Sequence, residues 1–285
     1  MKILQLLHYE LKDIIPILDK IKDQGFTHVQ TAPIQHLKQP VNDWRDWWLK
    51  YQPTSLRIDK KEDLIKLCDE AHKRNLKVIV DVVVRHVANN NYNCNEPHEK
   101  VDLELLPFIV RRPQMDANDR YQCVNYACGM PMLDYDNHIY QKIVIRFFNE
   151  VVSCGVDMLR LDQGAKHFKL PWEGGTFIDN VTKRYNIYGE GIFYSREWLD
   201  QYAQYMMVGT NCSMSDRNRM ITWVVSHDDI LTFGMHYPTY DLYVGEYRYL
   251  CENFPHTLIY APPFNDFWMG EEIKEINLRS GFNEN

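Results

Sequence analysis

The chain has 285 residues, 45% hydrophobic and 25% charged, enough apolar surface for a large core and unlike a disordered or collagen-like composition. Its 32 basic and 39 acidic residues give a net charge of −7 with no Lys/Arg run, which argues against a nucleic-acid binder. No apolar run reaches the roughly 18 residues of a membrane-spanning helix.

In chain order, residues 3–7 read as a short buried strand. Residues 11–24 carry Ile14, Ile15, Leu18 and Ile21 at helical spacing and stop at Gly25. Residues 26–32 read as a second strand ended by Pro33, followed by a Trp-rich loop and a helix over 61–73. Residues 76–84 (LKVIVDVVV) form a continuous β-branched third strand, as in a parallel sheet covered on both faces. Residues 87–135 lack clear periodicity and read as an inserted subdomain. An amphipathic helix over 140–153 and a fourth strand over 156–161 follow. Shorter strand candidates lie at 186–188, 221–225 and 257–260, with a final helix around 271–279.

Strand alternating with helix predicts an α/β fold with a parallel sheet. No Gly-rich phosphate loop follows the first strand, which disfavours a nucleotide-binding open sheet. Without residues 87–135 the remainder is close to the roughly 250 residues of a (β/α)8 barrel. The expected organisation is therefore a (β/α)8 TIM barrel of residues 1–86 and 136–285, with residues 87–135 as a small inserted subdomain after strand three.

In such barrels the chemistry sits at the C-terminal ends of the strands. Those ends offer Asp81 and His86, Arg160 and Asp162, Glu190, and His227 with Asp228. Any one of them alone reads as a solvated loop charge. Together they suggest a site, because convergent carboxylates are costly without a role. A carboxylate nucleophile beside a protonated carboxyl acid is the apparatus of a retaining glycosidase.

The motifs themselves resemble the α-amylase family of glycoside hydrolases. Gly155 to Asp162 (GVDMLRLD), followed by Lys166 and His167, is similar to its strand-four signature, and Asp81 to His86 (DVVVRH) to its strand-three motif. Tyr188-Gly189-Glu190 resembles the strand-five acid, and Trp223 to Asp228 (WVVSHD) the strand-seven motif. Trp47-Trp48-Leu49-Lys50-Tyr51-Gln52-Pro53 resembles the sugar-stacking loop after strand two. Met130 to Asp134 resembles the motif that closes the insertion. The motifs occur in the family's order.

The resemblance implies a nucleophile at Asp162, an acid/base at Glu190 and a transition-state stabiliser at Asp228. Arg160, two residues before Asp162 and on the same side of the strand, would keep it ionised. Trp47, Trp48, Tyr51, Gln52, His86 and His227 would bind sugar, and Lys166 and His167 would line the acceptor side. The expected activity is retaining hydrolysis of α-1,4-glucosidic bonds in starch, glycogen or malto-oligosaccharides, with no nucleic-acid or membrane partner. Two rivals are a malto-oligosaccharide transglycosylase, revealed by longer products, and a non-catalytic carbohydrate-binding barrel, which would bind without cleaving.

Two features depart from the family pattern. Three residues separate Asp162 from Lys166 where the family usually has two, so a bulge or longer turn must absorb one. The family's structural calcium uses an Asn and an Asp where this chain has Arg85 and Met132. Neither supplies a side-chain oxygen, so no cofactor is expected, with the Arg85 guanidinium in place of the metal charge. Cys94, His98, Cys123 and Cys128 have the loose spacing of a zinc site, against free thiols or one disulfide. The seven cysteines and the absence of a signal-like segment in MKILQLLHYE suggest a cytoplasmic setting. The resemblance further implies a compact form lacking the C-terminal β-sandwich of many members.

Overall fold

The computed structural model describes residues 1–91, 93–191 and 195–279. Eight parallel strands close into a barrel: β1 (Lys2–Leu6), β2 (His28–Thr31), β3 (Lys77–Val82), β4 (Met158–Leu161), β5 (Ile187–Glu190), β6 (Met207–Gly209), β7 (Met220–Trp223) and β8 (Thr257–Tyr260). Each strand pairs with its neighbours in sequence, and β1 shuts the ring on β8 with Leu4 opposite Ile259. That ladder excludes an open sheet and makes the fold a (β/α)8 barrel.

Period-2 alternation sorts side chains into two layers. Ile3 and Leu7 of the first strand segment meet Ile79, Met158, Ile221 and Leu258 inside the barrel. Leu4 and Leu6 face outward and pack with helix residues such as Leu64, Leu67 and Phe147. Burying each such side chain stabilises the fold by about 1.5–3 kcal/mol.

Local chemistry explains where elements differ from their sequence reading. The helix expected over 11–24 is broken into Leu11–Ile14, a 3-10 turn Ile15–Ile17 and Leu18–Asp23. Pro16 lies in that turn and has no N–H to continue the ladder. β3 stops at Val82 although Val83 and Val84 are buried. The side-chain amide of Gln35 takes over there, accepting from Val83 N and donating to Val83 O, both at 2.8 Å. The helix after β3 starts at His138, two residues early, because the Asn137 side chain accepts from the amides of Ile139 and Tyr140.

Several elements escaped the sequence reading, the helix Arg196–Ala203 among them. β6 is only Met207–Gly209, too short for a periodic signal. The helix Tyr240–Asn253 buries Tyr243, Tyr247 and Cys251 at i,i+4 spacing, residue types that do not stand out as a hydrophobic stripe. The Trp-rich segment is a 3-10 stretch, Trp44–Tyr51, held between the antiparallel strands Gln35–Leu37 and Pro53–Ile58.

Between β3 and His138 lie two short antiparallel pairs, Asn89–Asn90 with Asn93–Pro97 and Ile109–Val110 with Met132–Leu133, and a helix Arg120–Asn125. Val87, Leu105, Ala127, Leu133 and Tyr135 of this stretch belong to the same core cluster as the barrel strands and helices. Among the described residues no helix is long and apolar enough to cross a membrane.

Candidate active site

Three neighbouring strands build the centre. Arg160 on β4 stands in register with Asp81 on β3 and Tyr188 on β5. Its Nη1 donates to both oxygens of Asp81 (2.9 and 2.8 Å) and to Asp162 Oδ1 (3.0 Å), while Nη2 donates to Glu190 Oε1. All four side chains are buried. One guanidinium thus gathers three carboxylates in a site of low dielectric. Burial alone would lower the Arg160 pKa, but the charges of Asp81, Tyr51, Asp162 and Tyr188 together outweigh it and hold Arg160 well above its ordinary value. Burial also raises Asp81, with the Arg160 charge opposing.

A hydrogen-bond chain fixes the second wall. The Gln5 amide Nε2 donates to His227 Nδ1 at 3.3 Å, so the ring hydrogen sits on Nε2. Nε2 faces the Tyr51 hydroxyl at 3.3 Å, which donates to Asp81 Oδ2 at 2.8 Å. The Tyr51 and His227 rings are parallel within 2°. Burial lowers the His227 pKa, with the nearby Asp228 opposing, which keeps the ring neutral. Asp228, in the first turn of His227–Leu231, lies 3.5 Å from His227 Nε2 and accepts from Thr232 Oγ1 at 2.8 Å.

A cavity of about 410 Å³ opens over this floor. Trp47, Trp48, Tyr51, Gln52, His86, Asp162, Lys166, His167, Glu190, His227 and Asp228 all line it. Of the strand-end residues singled out by sequence, Arg160 and Asp81 do not line it, since the ion pair between them lies beneath the other carboxylates. Glu190 O, His227 N and Asp228 O atoms come within 4.8 Å of one another. Sequence reasoning missed Met115, Ala117, Met130, Gln163, Thr232 and Phe233, which complete the wall from aperiodic loops. Gln5 was also missed, a polar residue in an apolar strand and the one signal that could have found it.

The extra residue after Asp162 is absorbed by Gln163 in the left-handed region (φ 53°, ψ 25°), followed by a single helical turn, Gly164–His167. In this pose Gln163 N donates to Glu190 Oε2 at 3.1 Å. The turn packs tightly on β5: a Cβ on Gly164 would lie 2.7 Å from Gly189 Cα. Lys166 reaches the Ala117 carbonyl and lies over the Trp198 ring. Neither ring nitrogen of His167 has a hydrogen-bond partner among the described residues. Burial and the charges of Arg85 and Lys166 keep His167 neutral.

Arg85, with no exposed surface, binds around this turn. It donates to the carbonyls of His167 (3.1 Å), Cys123 (2.7 Å) and Tyr126 (2.9 Å), joining the end of β3 to the segment that precedes His138 and to the turn after β4. Its Nη2 also lies 3.7 Å from Met132 Sδ. The four zinc candidates do not meet. Cys94 faces Arg112 O, Cys123 faces Ala117 O, Cys128 faces His86, and His98 Nδ1 accepts from Lys100 N. All seven thiols are free, so the disulfide considered from sequence is not formed either.

A closed (β/α)8 barrel with carboxylates and an arginine at the C-terminal strand ends under an aromatic-walled cavity defines the class of barrel glycoside hydrolases. Residues 9–249 match the family described as "Alpha amylase, catalytic domain", and the chain belongs to the alpha-amylase family. It is 31% identical over 194 residues to an alpha-amylase of Clostridium acetobutylicum, covering 61% of this chain and 25% of that protein. With an alpha-amylase of Butyrivibrio fibrisolvens it shares 26% over 230 residues, 75% of this chain and 21% of the other. The match thus spans about a quarter of the length of these curated relatives. The alpha-amylase of Geobacillus thermoleovorans, solved with acarbose, has the same fold at TM-score 0.75 and 19% identity, covering 99% of this chain and 78% of that one.

Proposed function

We propose that the chain is a retaining α-glucoside hydrolase that cleaves α-1,4 bonds of starch, glycogen or malto-oligosaccharides. The observation that carries this reading is the meeting of Asp162, Glu190 and Asp228 at one cavity floored by Arg160. Asp162 attacks the anomeric carbon while Glu190 gives its proton to the departing glycosidic oxygen. Glu190 then takes a proton from the water that displaces Asp162, so two inversions give net retention. Asp228 faces the positive charge that develops at the ring.

The surroundings fit these roles. Arg160 Nη1 donates to Asp162 Oδ1 and fixes that carboxylate in place for attack. Both partners of Glu190, Arg160 and Gln163 N, are donors, which suits the carboxylate form that takes the proton from water in the second step. Neutral His227 and the unpartnered nitrogens of His167 suit sugar hydroxyls, which both donate and accept. Trp47, Trp48 and Tyr51 offer flat faces for pyranose rings. The alpha-amylase I of Eisenia fetida, of the same fold, has been solved with maltohexaose, which supports a malto-oligosaccharide here.

The residues at the family's calcium position do not fit that ion. Calcium takes six to eight oxygen ligands, whereas three carbonyls there are already bound by Arg85 and Met132 brings a thioether. We read Arg85 as supplying that positive charge itself.

The test is the stereochemical course of maltoheptaose cleavage followed by 1H NMR. The new reducing ends should first appear as the α-anomer and then mutarotate. Initial release of the β-anomer would mean an inverting enzyme and a different role for Asp162.

A further inference from the structure

One nucleophilic pair outside the carboxylate cluster stands against the wall of the same cavity. Buried His86, which lines the cavity, presents Nε2 to the main-chain carbonyl of Tyr51 at 2.9 Å. A carbonyl only accepts, so Nε2 carries a hydrogen and the neutral ring keeps its lone pair on Nδ1. That nitrogen faces the half-buried Cys128 Sγ at 3.6 Å. The contact is S–H···N or, after proton transfer, S⁻···H–N⁺, the arrangement that activates a thiol for attack.

The charges around the pair favour the second form. Burial would raise the Cys128 pKa, but the charges of His86 and Arg85 outweigh it and bring the thiol down to about 6, with Asp162 as the opposing charge. Burial likewise pulls His86 down, and Cys128, Asp162 and the Tyr51 carbonyl together outweigh it, leaving His86 raised. Cys68, Cys123 and Cys154 are instead pushed up by burial. Among the described residues no other cysteine has an imidazole partner.

We propose that Cys128 is a site of reversible covalent modification by small disulfides, and that its adduct closes the sugar cavity. The Cys128 sulfur attacks one sulfur of R–S–S–R, a Cys128–S–S–R bond forms, the original S–S bond breaks, and R–S⁻ leaves with its electron pair. The disulfide is itself the oxidant, and a thiol reverses the step. The adduct places several atoms behind a ring that lines the cavity, forcing that ring toward the sugar position. The effect on cleavage rests on the function proposed above; the modification does not.

The folded protein would be treated with limiting iodoacetamide between pH 5 and 9 and mapped by mass spectrometry, and separately with glutathione disulfide. Cys128 should be labelled first, with a midpoint near pH 6. Glutathione disulfide should lower maltoheptaose cleavage at least tenfold in step with Cys128 occupancy, with dithiothreitol restoring it. Cys128→Ser and Cys128→Ala should keep cleavage and lose the sensitivity. Labelling of another cysteine first, a midpoint near the ordinary 8.5, or unchanged cleavage with Cys128 fully modified would overturn the proposal. Should the protein cleave no glucan, the labelling order and midpoint still decide the modification site. Equal maltoheptaose binding by modified and unmodified protein would then refute closure.

Discussion

Arg160 is the residue on which the site turns, because its two terminal nitrogens hold Asp81, Asp162 and Glu190. Removing one partner of a buried ion pair commonly costs about 3–5 kcal/mol. Asp162 and Glu190 remain beside the guanidinium in Asp81→Asn, so its expected cost is at the low end, about 3 kcal/mol in urea denaturation. A loss under about 1 kcal/mol would mean that Asp81 does not anchor Arg160. At this scale much was legible: Arg160 and Asp162 lie two apart on one strand and so share a side. The partners of His227 and Glu190 were not, since Gln5 is distant in sequence and Gln163 acts through its main-chain amide.

Among elements, the short turn Gly164–His167 brings Lys166 and His167 to the cavity, and Arg85 holds it through the His167 carbonyl. If the guanidinium supplies the charge there, exhaustive dialysis against a chelator should leave cleavage within about twofold and the melting temperature unchanged. Loss of activity on chelation with recovery on calcium addition would contradict this. The departure at Arg85 could be read from sequence because a side-chain oxygen was missing. Its actual ligands could not, since main-chain carbonyls of Cys123, Tyr126 and His167 carry no residue signature. The same limit hid β6 and the Trp44–Tyr51 turn: three residues show no period, and a 3-10 stretch between two strands matches neither template.

At the scale of the whole molecule, the barrel was legible from β-branched runs alternating with amphipathic helices, and closure follows from the β1–β8 ladder. The packed barrel also buries histidines in neutral form. Burial brings His28 down to about 3, and His8 and His256 to about 4, from an ordinary value of 6.5. A histidine depressed on folding gives stability that is fully present above pH 6.5 and lost as pH falls toward the folded value. The slope is at most about 1.4 kcal/mol per pH unit for each ring. The melting temperature should therefore fall steadily from pH 7 to 4.5, with a shallower fall in His28→Gln. A flat or rising profile on acidification would contradict the neutral burial of these rings.

The central claim is that Glu190 and its two carboxylate neighbours cleave α-glucan. It is tested most directly by maltoheptaose and starch hydrolysis at equal protein concentration, wild type beside Glu190→Gln, with both variants shown to fold. The account predicts malto-oligosaccharide products from the wild type and a rate lower by about 10²–10⁴-fold in Glu190→Gln, the usual contribution of a positioned general acid. Equal rates in the two proteins, or no cleavage by the folded wild type, would contradict it.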